Sequence, residues 1–479
     1  MRITLVQPPL TLEERYGVKH QSGGETIPLG LAYLASSVRA AGHKTKIIDA
    51  EINHWNLKEA TKKIMETTPD LIGLTAVTIS IDNAARVAEE AKKIKPEVIV
   101  LIGGHHFTTA PEETLNLFPV FDIGVLGEGE ETLVELAAVL EKYGLAQDEL
   151  KKVKGLIFKD EAGNFIRTPV RERIKNLDAL PKPAFDLLGD ITIYSPPAHT
   201  VRKFPACTLV ASRGCPGQCT FCTRSIYGNI LSQHSAQYML DMVLELYHKY
   251  GIREVQFRDD NFTVFRDRLL EFCKLLKAQK INFVWTALGR VDMVDPEMLR
   301  AMKEAGCWQI WVGVESGNNE ILKLIKKYTT KEKITQAIKW IKEAGMGVGA
   351  FFIMGHPGET KETIRETIDL ALSLPIDEFH CTFLTPLPGS EIYRTWKKYG
   401  VFHEDWKNLN EWRPVFIPFG VSQEEMERYS KMFYRKFYFR PRIDLNYLKK
   451  VRSPRHLRIY FSGFLALLDW VFKRKASAN

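Results

Sequence analysis

Cysteine is scarce in this chain and unevenly placed: seven among 479 residues, none before Cys207, and three of them between positions 215 and 222. That is too few and too clustered for a disulfide framework, so the chain is not a cross-linked secreted scaffold. Long apolar runs are missing as well. The N-terminus, MRITLVQPPL, enters a strand at once, with no basic lead, extended apolar core or small-residue cleavage site. No secretory leader is expected, and the expected location is the cytoplasm. Charge of one sign is also missing from most of the length. The formal net charge is +8, yet residues 431–479 alone hold thirteen Lys and Arg against Asp444 and Asp469, and the first 430 residues sum to about −3. A partner for the basic character is therefore sought at the C-terminus.

What is present is ordinary globular material. Hydrophobic residues make up 45% and charged residues 26%, which removes disordered and collagen-like readings. At about 100–200 residues per domain there is room for two or three domains. Residues 1–150 alternate short apolar strands (RITLVQ, KTKIIDA, DLIGLTAV, VIVLIGG, DIGVLG) with amphipathic stretches such as Gly30–Ala41, Asp82–Lys95 and Glu130–Tyr143. Continuous apolar strands between helices predict a parallel, doubly wound α/β sheet, with ligands at the carboxyl ends of its strands. Residues 151–200 read as a hairpin around Ala162, Gly163 and Asn164, followed by a linker holding Pro181, Pro183, Pro196 and Pro197. Residues 201–390 carry six further strand–helix units, which predict a partial (β/α)6 barrel with its chemistry at the strand ends. Residues 391–479 lose this rhythm and read as a helical, basic, aromatic-rich region. The two α/β halves show no internal repeat.

The chemistry concentrates in SRGCPGQCTFC, just after the first strand of the second series. Cys215, Cys219 and Cys222 stand in CxxxCxxC spacing, and thiolates at such spacing in a tight loop can hold a [4Fe–4S] cluster. Three ligands leave one iron open to chelate a small molecule. Zinc is the alternative, but a structural zinc site wants four ligands, commonly as two pairs, and no second pair is present. His234 could supply a fourth ligand only from a predicted helix start. Cys207, Cys273, Cys307 and Cys381 sit in apolar runs and read as small core residues.

With Phe221 before the last of the three cysteines, this loop resembles that of the radical S-adenosylmethionine superfamily. The resemblance spans residues 200–390. It implies that Asp259 and Asp260, in RDDNF, lie near the adenosylmethionine amino group, and that Glu315 and Ser316, in GVESGN, make polar contacts to the cofactor. It further implies that Gly355 and Gly358 form a turn near the adenine and that Arg290 faces the carboxylate. As plain structure, Asp259 and Asp260 could instead cap a helix, Glu315 could belong to an ion pair, and Gly358 could be an ordinary turn.

Residues 1–150 resemble the Rossmann-like cobalamin-binding domain that precedes the barrel in one large class of these enzymes. The matching segments are VQPP, PLGLAYL, GLTAVT, GGHHFT and GEGE. The resemblance places Gln7, Thr75, Thr78, Gly103, Gly104, His106, Gly127, Glu128 and Gly129 at the cofactor. The DxHxxG motif of many cobalamin proteins is absent, so no histidine is expected on cobalt at the usual position. The bland alternatives are an empty, relic domain and histidines that merely cap the sheet.

The resemblance implies an enzyme using a [4Fe–4S] cluster, S-adenosyl-L-methionine and cobalamin. A 5′-deoxyadenosyl radical would attack an unactivated carbon, with C-methylation the leading outcome. An oxidative cyclase or ring-rearranging enzyme without methyl transfer is the alternative. A tRNA methylthiotransferase would carry cysteines in its N-terminal domain, and residues 1–206 have none. A non-enzymatic cobalamin-binding regulator would not need the cysteine loop. An external electron donor such as flavodoxin or ferredoxin and a small-molecule or lipid substrate are the implied partners. Residues 431–479 hold eleven aromatic residues besides their positive charge. The run 459–472 falls short of the ~20 apolar residues of a bilayer span, so peripheral contact with an anionic membrane surface is expected, ahead of packing on the barrel and of nucleic-acid binding.

Overall fold

The structure, a computed structural model, describes residues 1–17, 23–224, 226–451 and 454–472. The first sheet has seven strands: β1 (Arg2–Gln7), β2 (Lys44–Asp49), β3 (Leu71–Thr75), β4 (Ile99–Gly103), β5 (Ile123–Val125), β6 (Leu156–Lys159) and β7 (Phe165–Arg167). Their order is β2-β1-β3-β4-β5-β6-β7, parallel through β5 and antiparallel beyond it. The predicted hairpin is thus the edge of the first sheet rather than part of the connection. Side chains alternate across the strands, so each face buries its own core. Ile3, Leu5, Leu71 and Leu101 meet helices Leu29–Ala40 and Glu130–Tyr143 on one side. Val6, Ile72, Val100 and Ile102 meet helix Ile81–Ile94 on the other. The chain leaves β1 for β2 on one side and β3 on the other, which opens a crevice at their carboxyl ends.

The connection runs through short 3₁₀ turns to the second sheet: β8 (Ala206–Leu209), β11 (Glu254–Phe257), β12 (Val284–Gly289), β13 (Cys307–Glu315), β14 (Gly347–Met354) and β15 (Glu378–Phe383). Between β8 and β11 a two-residue pair, β9 (Ser212–Arg213) and β10 (Ser232–Gln233), closes the loop that holds the cysteines. The six long strands lie in sequence order and are all parallel, the predicted open barrel. Its outward residues, such as Phe257, Trp285, Ile310, Val348 and Phe379, pack under the helices. Cys207, Cys273, Cys307 and Cys381 belong to that core, as expected.

After a short helix (Glu391–Thr395), a small hairpin, β16 (Gly400–Phe402) and β17 (Phe416–Pro418), and three further helices follow among the described residues. Helix Gln423–Tyr438 turns Phe433, Tyr434 and Phe437 onto Phe379, with ring centroids 4.4–4.6 Å apart. Much of the aromatic content of the C-terminal region is therefore barrel core. Leu467, Trp470 and Val471 of helix Pro454–Phe472 pack against the same core. Among the described residues no helix is long and apolar enough to cross a membrane.

Candidate functional site

The cysteine loop is shaped by glycine and held from behind by acid. Gly214 has φ +89°, and a Cβ there would lie 2.4 Å from the Ile230 carbonyl oxygen, so only glycine closes the lobe. Asp260 Oδ2 accepts the Gly214 N–H at 3.1 Å. Cys215 is partly exposed, Cys219 buried and Cys222 exposed. Gly217 N–H points at Cys215 Sγ (3.4 Å) and Arg290 Nη1 at Cys219 Sγ (3.9 Å). Burial pushes the Cys219 thiol up and the Cys222 thiol to about 12, so the bare thiols keep their protons and cationic iron would displace them. Among the described residues no group of three or more His, Cys, Asp and Glu side chains converges on one ion. The ligand set fits a cubane, which offers each thiolate its own iron. His234, the possible fourth zinc ligand, is spent elsewhere: its ring bonds the Tyr33 hydroxyl (2.9 Å) and Asp178 Oδ1 (3.0 Å).

The other expected barrel residues divide into two groups. Glu315, Arg290, Phe221 and Asp260 surround the loop. Glu315 sits at φ +66°, a strained backbone position, and pairs with Lys327 Nζ at 2.7 Å. Arg290 is held by Asp292 (2.9 Å) and the Lys327 carbonyl (2.8 Å). Phe221 packs on His356, with ring centroids 5.9 Å apart. Gly355 and Gly358 have φ of +95° and +73°, as a tight turn requires. Asp259 and Ser316, by contrast, face away from the loop. Asp259 takes the Ala211 N–H and the Ser212 hydroxyl, and burial raises its pKa to about 6. The Ser316 hydroxyl is shared with Thr367 and the Asn318 N–H. The chain-level reason is period: alternate residues at a strand end point to opposite faces.

In the first domain the crevice is lined by Gln7 of β1, Thr75 of β3, Gly103 and Gly104 of β4, and Gly127, Glu128 and Gly129 after β5, all expected positions. Its floor fits a large planar ligand. Gly30 also lines it, and a Cβ there would meet nothing within 4 Å; at Gly103 the nearest atom would be 3.6 Å away. The fold does not need glycine at either place, and each leaves bare backbone facing the crevice. Thr78 and His106 do not line it. The His106 ring is buried between the Thr78 (3.2 Å) and Thr114 (3.3 Å) hydroxyls, edge-on to Trp406, and burial lowers its pKa to about 4. Its neighbour His105 faces the crevice instead. Helix His105–Thr109 begins here, and successive residues diverge around it.

The two sites face each other. Arg213, two residues before Cys215, reaches into the first domain and pairs with Glu128 and Glu130, each at 2.5 Å, all three buried. Arg213, Ile226 and Tyr227 of the cysteine lobe form one wall of the crevice. Asp260 is the charged group that acts on His105 from across the gap. Sequence reasoning missed Arg213, His105 and Lys327. Arg213 was detectable only as a lone arginine before the cysteine motif, and its partner Glu128 was expected at the cofactor rather than in an ion pair.

A B12-binding domain family matches residues 17–137, and the radical SAM superfamily matches residues 209–371. An uncharacterised methyltransferase of Pyrococcus horikoshii is 34% identical, over 92% of this chain and 94% of that protein. The anaerobic magnesium-protoporphyrin IX monomethyl ester cyclase of Rubrivivax gelatinosus is 28% identical over 99% of this chain and 84% of its own. The cytidylyl-2-hydroxyethylphosphonate methyltransferase of Streptomyces wedmorensis is 29% identical over 82% and 81%. Among solved structures, the cobalamin-dependent S-adenosylmethionine radical enzyme OxsB, with aqua-cobalamin and S-adenosylmethionine bound, superposes with a TM-score of 0.75 at 20% identity. That match covers 98% of this chain and 72% of OxsB. The methyltransferase TsrM of Kitasatospora setae, with cobalamin and a [4Fe–4S] cluster bound, gives 0.67 at 18% identity over 84% and 79%.

Proposed function

From the premise that this chain belongs to the radical S-adenosylmethionine enzymes that carry a cobalamin-binding domain, we propose that it methylates an unactivated carbon of a small molecule. Bound together, the three cofactors supply a carbon radical and a methyl group; the chain positions them and excludes water. The observation that carries the proposal is the shared wall: the lobe holding Cys215, Cys219 and Cys222 also lines the corrin-sized crevice through Arg213, Ile226 and Tyr227. In this reading Cys215, Cys219 and Cys222 hold the cluster, Asp260, Glu315 and Arg290 hold adenosylmethionine, and the crevice glycines carry the corrin. His105 takes the place that the sequence reading gave to His106.

The protein reconstituted anaerobically with iron, sulfide and hydroxocobalamin tests the reading. Methylation consumes two molecules of adenosylmethionine, giving 5′-deoxyadenosine and S-adenosylhomocysteine in equal amounts. A cyclase gives 5′-deoxyadenosine without S-adenosylhomocysteine, and the cyclase from Rubrivivax gelatinosus among the relatives keeps that second reading in view. Reduced flavodoxin or ferredoxin is the proposed electron source.

The C-terminal helix supports a peripheral membrane contact as the finer part of the proposal. Leu457, Phe461, Phe464 and Leu465 form an exposed apolar row on the face away from the barrel, continued by Phe439. Arg458 lies beside that row and is exposed. Arg452, Lys473, Arg474 and Lys475 lie outside the described residues. Sedimentation with anionic and neutral liposomes, for the full chain and for one ending at Asp444, tests this contact and the lipid substrate that depends on it.

A further inference from the structure

The inner face of the barrel is lined differently from its outer face. On β11, Glu254 and Gln256 alternate with the core residues Val255 and Phe257, and the parallel ladder continues to Arg258, whose N–H reaches the Leu209 carbonyl at 2.8 Å. The matching face of β13, β14 and β15 carries Trp311, Phe351 and His380. Their rings are in mutual contact, with centroids 5.0–5.9 Å apart, and the series continues through Trp412 to Tyr16 of the first domain. Phe351, His380, Trp412 and Tyr16 are each half-buried, although the residues beside Phe351 and His380 on their strands are fully buried. A ring-lined chamber therefore opens between the barrel, the first domain and the segment around Trp412.

Arg258 is the charged group in this chamber. Its guanidinium donates to Gln256 Oε1, a neutral amide, and among the described residues it forms no ion pair. Burial lowers its pKa, and the only group opposing that effect is Tyr16. Of the other enclosed arginines nearby, Arg213 pairs with Glu128 and Glu130 and Arg290 with Asp292, while Arg268 donates to the Ala211 and Phe262 carbonyls with the Asp259 charge close by. Arg258 is half-buried, so it is reachable from the chamber, and an enclosed cation held only by an amide gains from an anion brought in from outside.

We propose that this chamber is the substrate site and that the substrate is acidic and carries a flat unsaturated ring, Arg258 pairing with its carboxylate or phosphate while the ring lies along Trp311, Phe351 and His380. A guanidinium fork matches both kinds of anion, and aromatic faces accept planar rings. The assignment rests on the proposed function only in taking the chamber as the substrate site; anion binding itself needs no turnover.

The test uses holoenzyme, wild type and Arg258→Gln, with corrinoid and cluster content measured in each sample. The probes are indole-3-acetate for the carboxylate, indoxyl phosphate for the phosphate, and the neutral alcohol indole-3-ethanol. Wild type is expected to bind at least one anionic probe, and Arg258→Gln to bind it about tenfold or more weakly. The neutral probe should bind both forms alike, and Arg258→Lys should restore part of the loss. Adenosylmethionine affinity should not change. Equal binding of the anions by both forms overturns the proposal, as does no anion binding by wild type at millimolar concentration. A variant that loses adenosylmethionine affinity while keeping the probes also overturns it, because Arg258 would then serve that cofactor. None of these outcomes bears on whether 5′-deoxyadenosine and S-adenosylhomocysteine form, so the two proposals fail separately.

Discussion

The crevice of the first domain and the mouth of the barrel face the same space but are built by opposite means. The crevice is made by removing side chains: Gly30, Gly103, Gly127 and Gly129 leave backbone where a bulky group would stand. The barrel mouth is made by adding them: thiols, carboxylates and guanidinium groups enter from the strand ends, and their surroundings raise the pKa of Cys222 and Asp260. A subtractive site suits a large rigid ligand that brings its own chemistry. An additive site suits a reaction whose charges must be placed group by group.

The largest effect is expected at the additive site. Replacing Cys215, Cys219 and Cys222 together by Ala should abolish iron and sulfide content and 5′-deoxyadenosine formation, while corrinoid binding to the first domain persists. Corrinoid lost in parallel would show that the crevice does not stand on its own.

The next largest effect tests the joint between the sites. Arg213→Met leaves Glu128 and Glu130 buried without their cation, which should cost about 3–5 kcal/mol of stability. Adding Glu128→Gln and Glu130→Gln to it should recover much of that loss. Denaturant midpoints measure both, and an unchanged midpoint in Arg213→Met would mean the pair does not couple the domains.

At the subtractive site, Gly30→Leu is the sharper change, because no protein atom lies within 4 Å of the new Cβ. Folding should be preserved and cluster content unchanged. Corrinoid affinity should fall by about tenfold or more, roughly 1.4 kcal/mol. Retention of wild-type affinity in a titration would remove Gly30 from the crevice floor.

The smallest effects separate the paired histidines. His106→Ala should cost about 1–3 kcal/mol of stability, by removing a buried ring and its bond to the Thr78 hydroxyl, and leave the corrinoid absorption spectrum unchanged. His105→Ala should do the reverse, altering the spectrum with little loss of stability. Identical behaviour of the two would erase the distinction drawn from their positions.

How much of this was legible in the sequence differs between the sites. The residues that the family resemblance placed at the subtractive site fall mostly together, at strand ends that the strand–helix rhythm also marks. Gln7, Thr75, Gly103, Gly104, Gly127, Glu128 and Gly129 all line the crevice. The exceptions, Thr78 and His106, lie past strand ends, where a turn or helix start decides direction. At the additive site the three cysteines and Asp260 were read correctly as neighbours, while Asp259 and Ser316 turned to the opposite face. Arg258 left a usable trace, since a polar face through Glu254, Gln256 and Arg258 is out of place in a strand buried on both sides.

The sequence by itself determined the two α/β domains, the succession of strands and helices along each, and the cysteine lobe. Each of these follows from local period, local spacing or the size of single residues. Tertiary structure alone decided what meets across the domains. Arg213 finds Glu128 from 85 positions away, and Tyr16 meets Trp412 from the opposite end of the chain while acting on Arg258. Such contacts depend on how two finished domains pack, and the energy that selects them is the pairing of buried charge and the matching of buried surface, which no local pattern encodes.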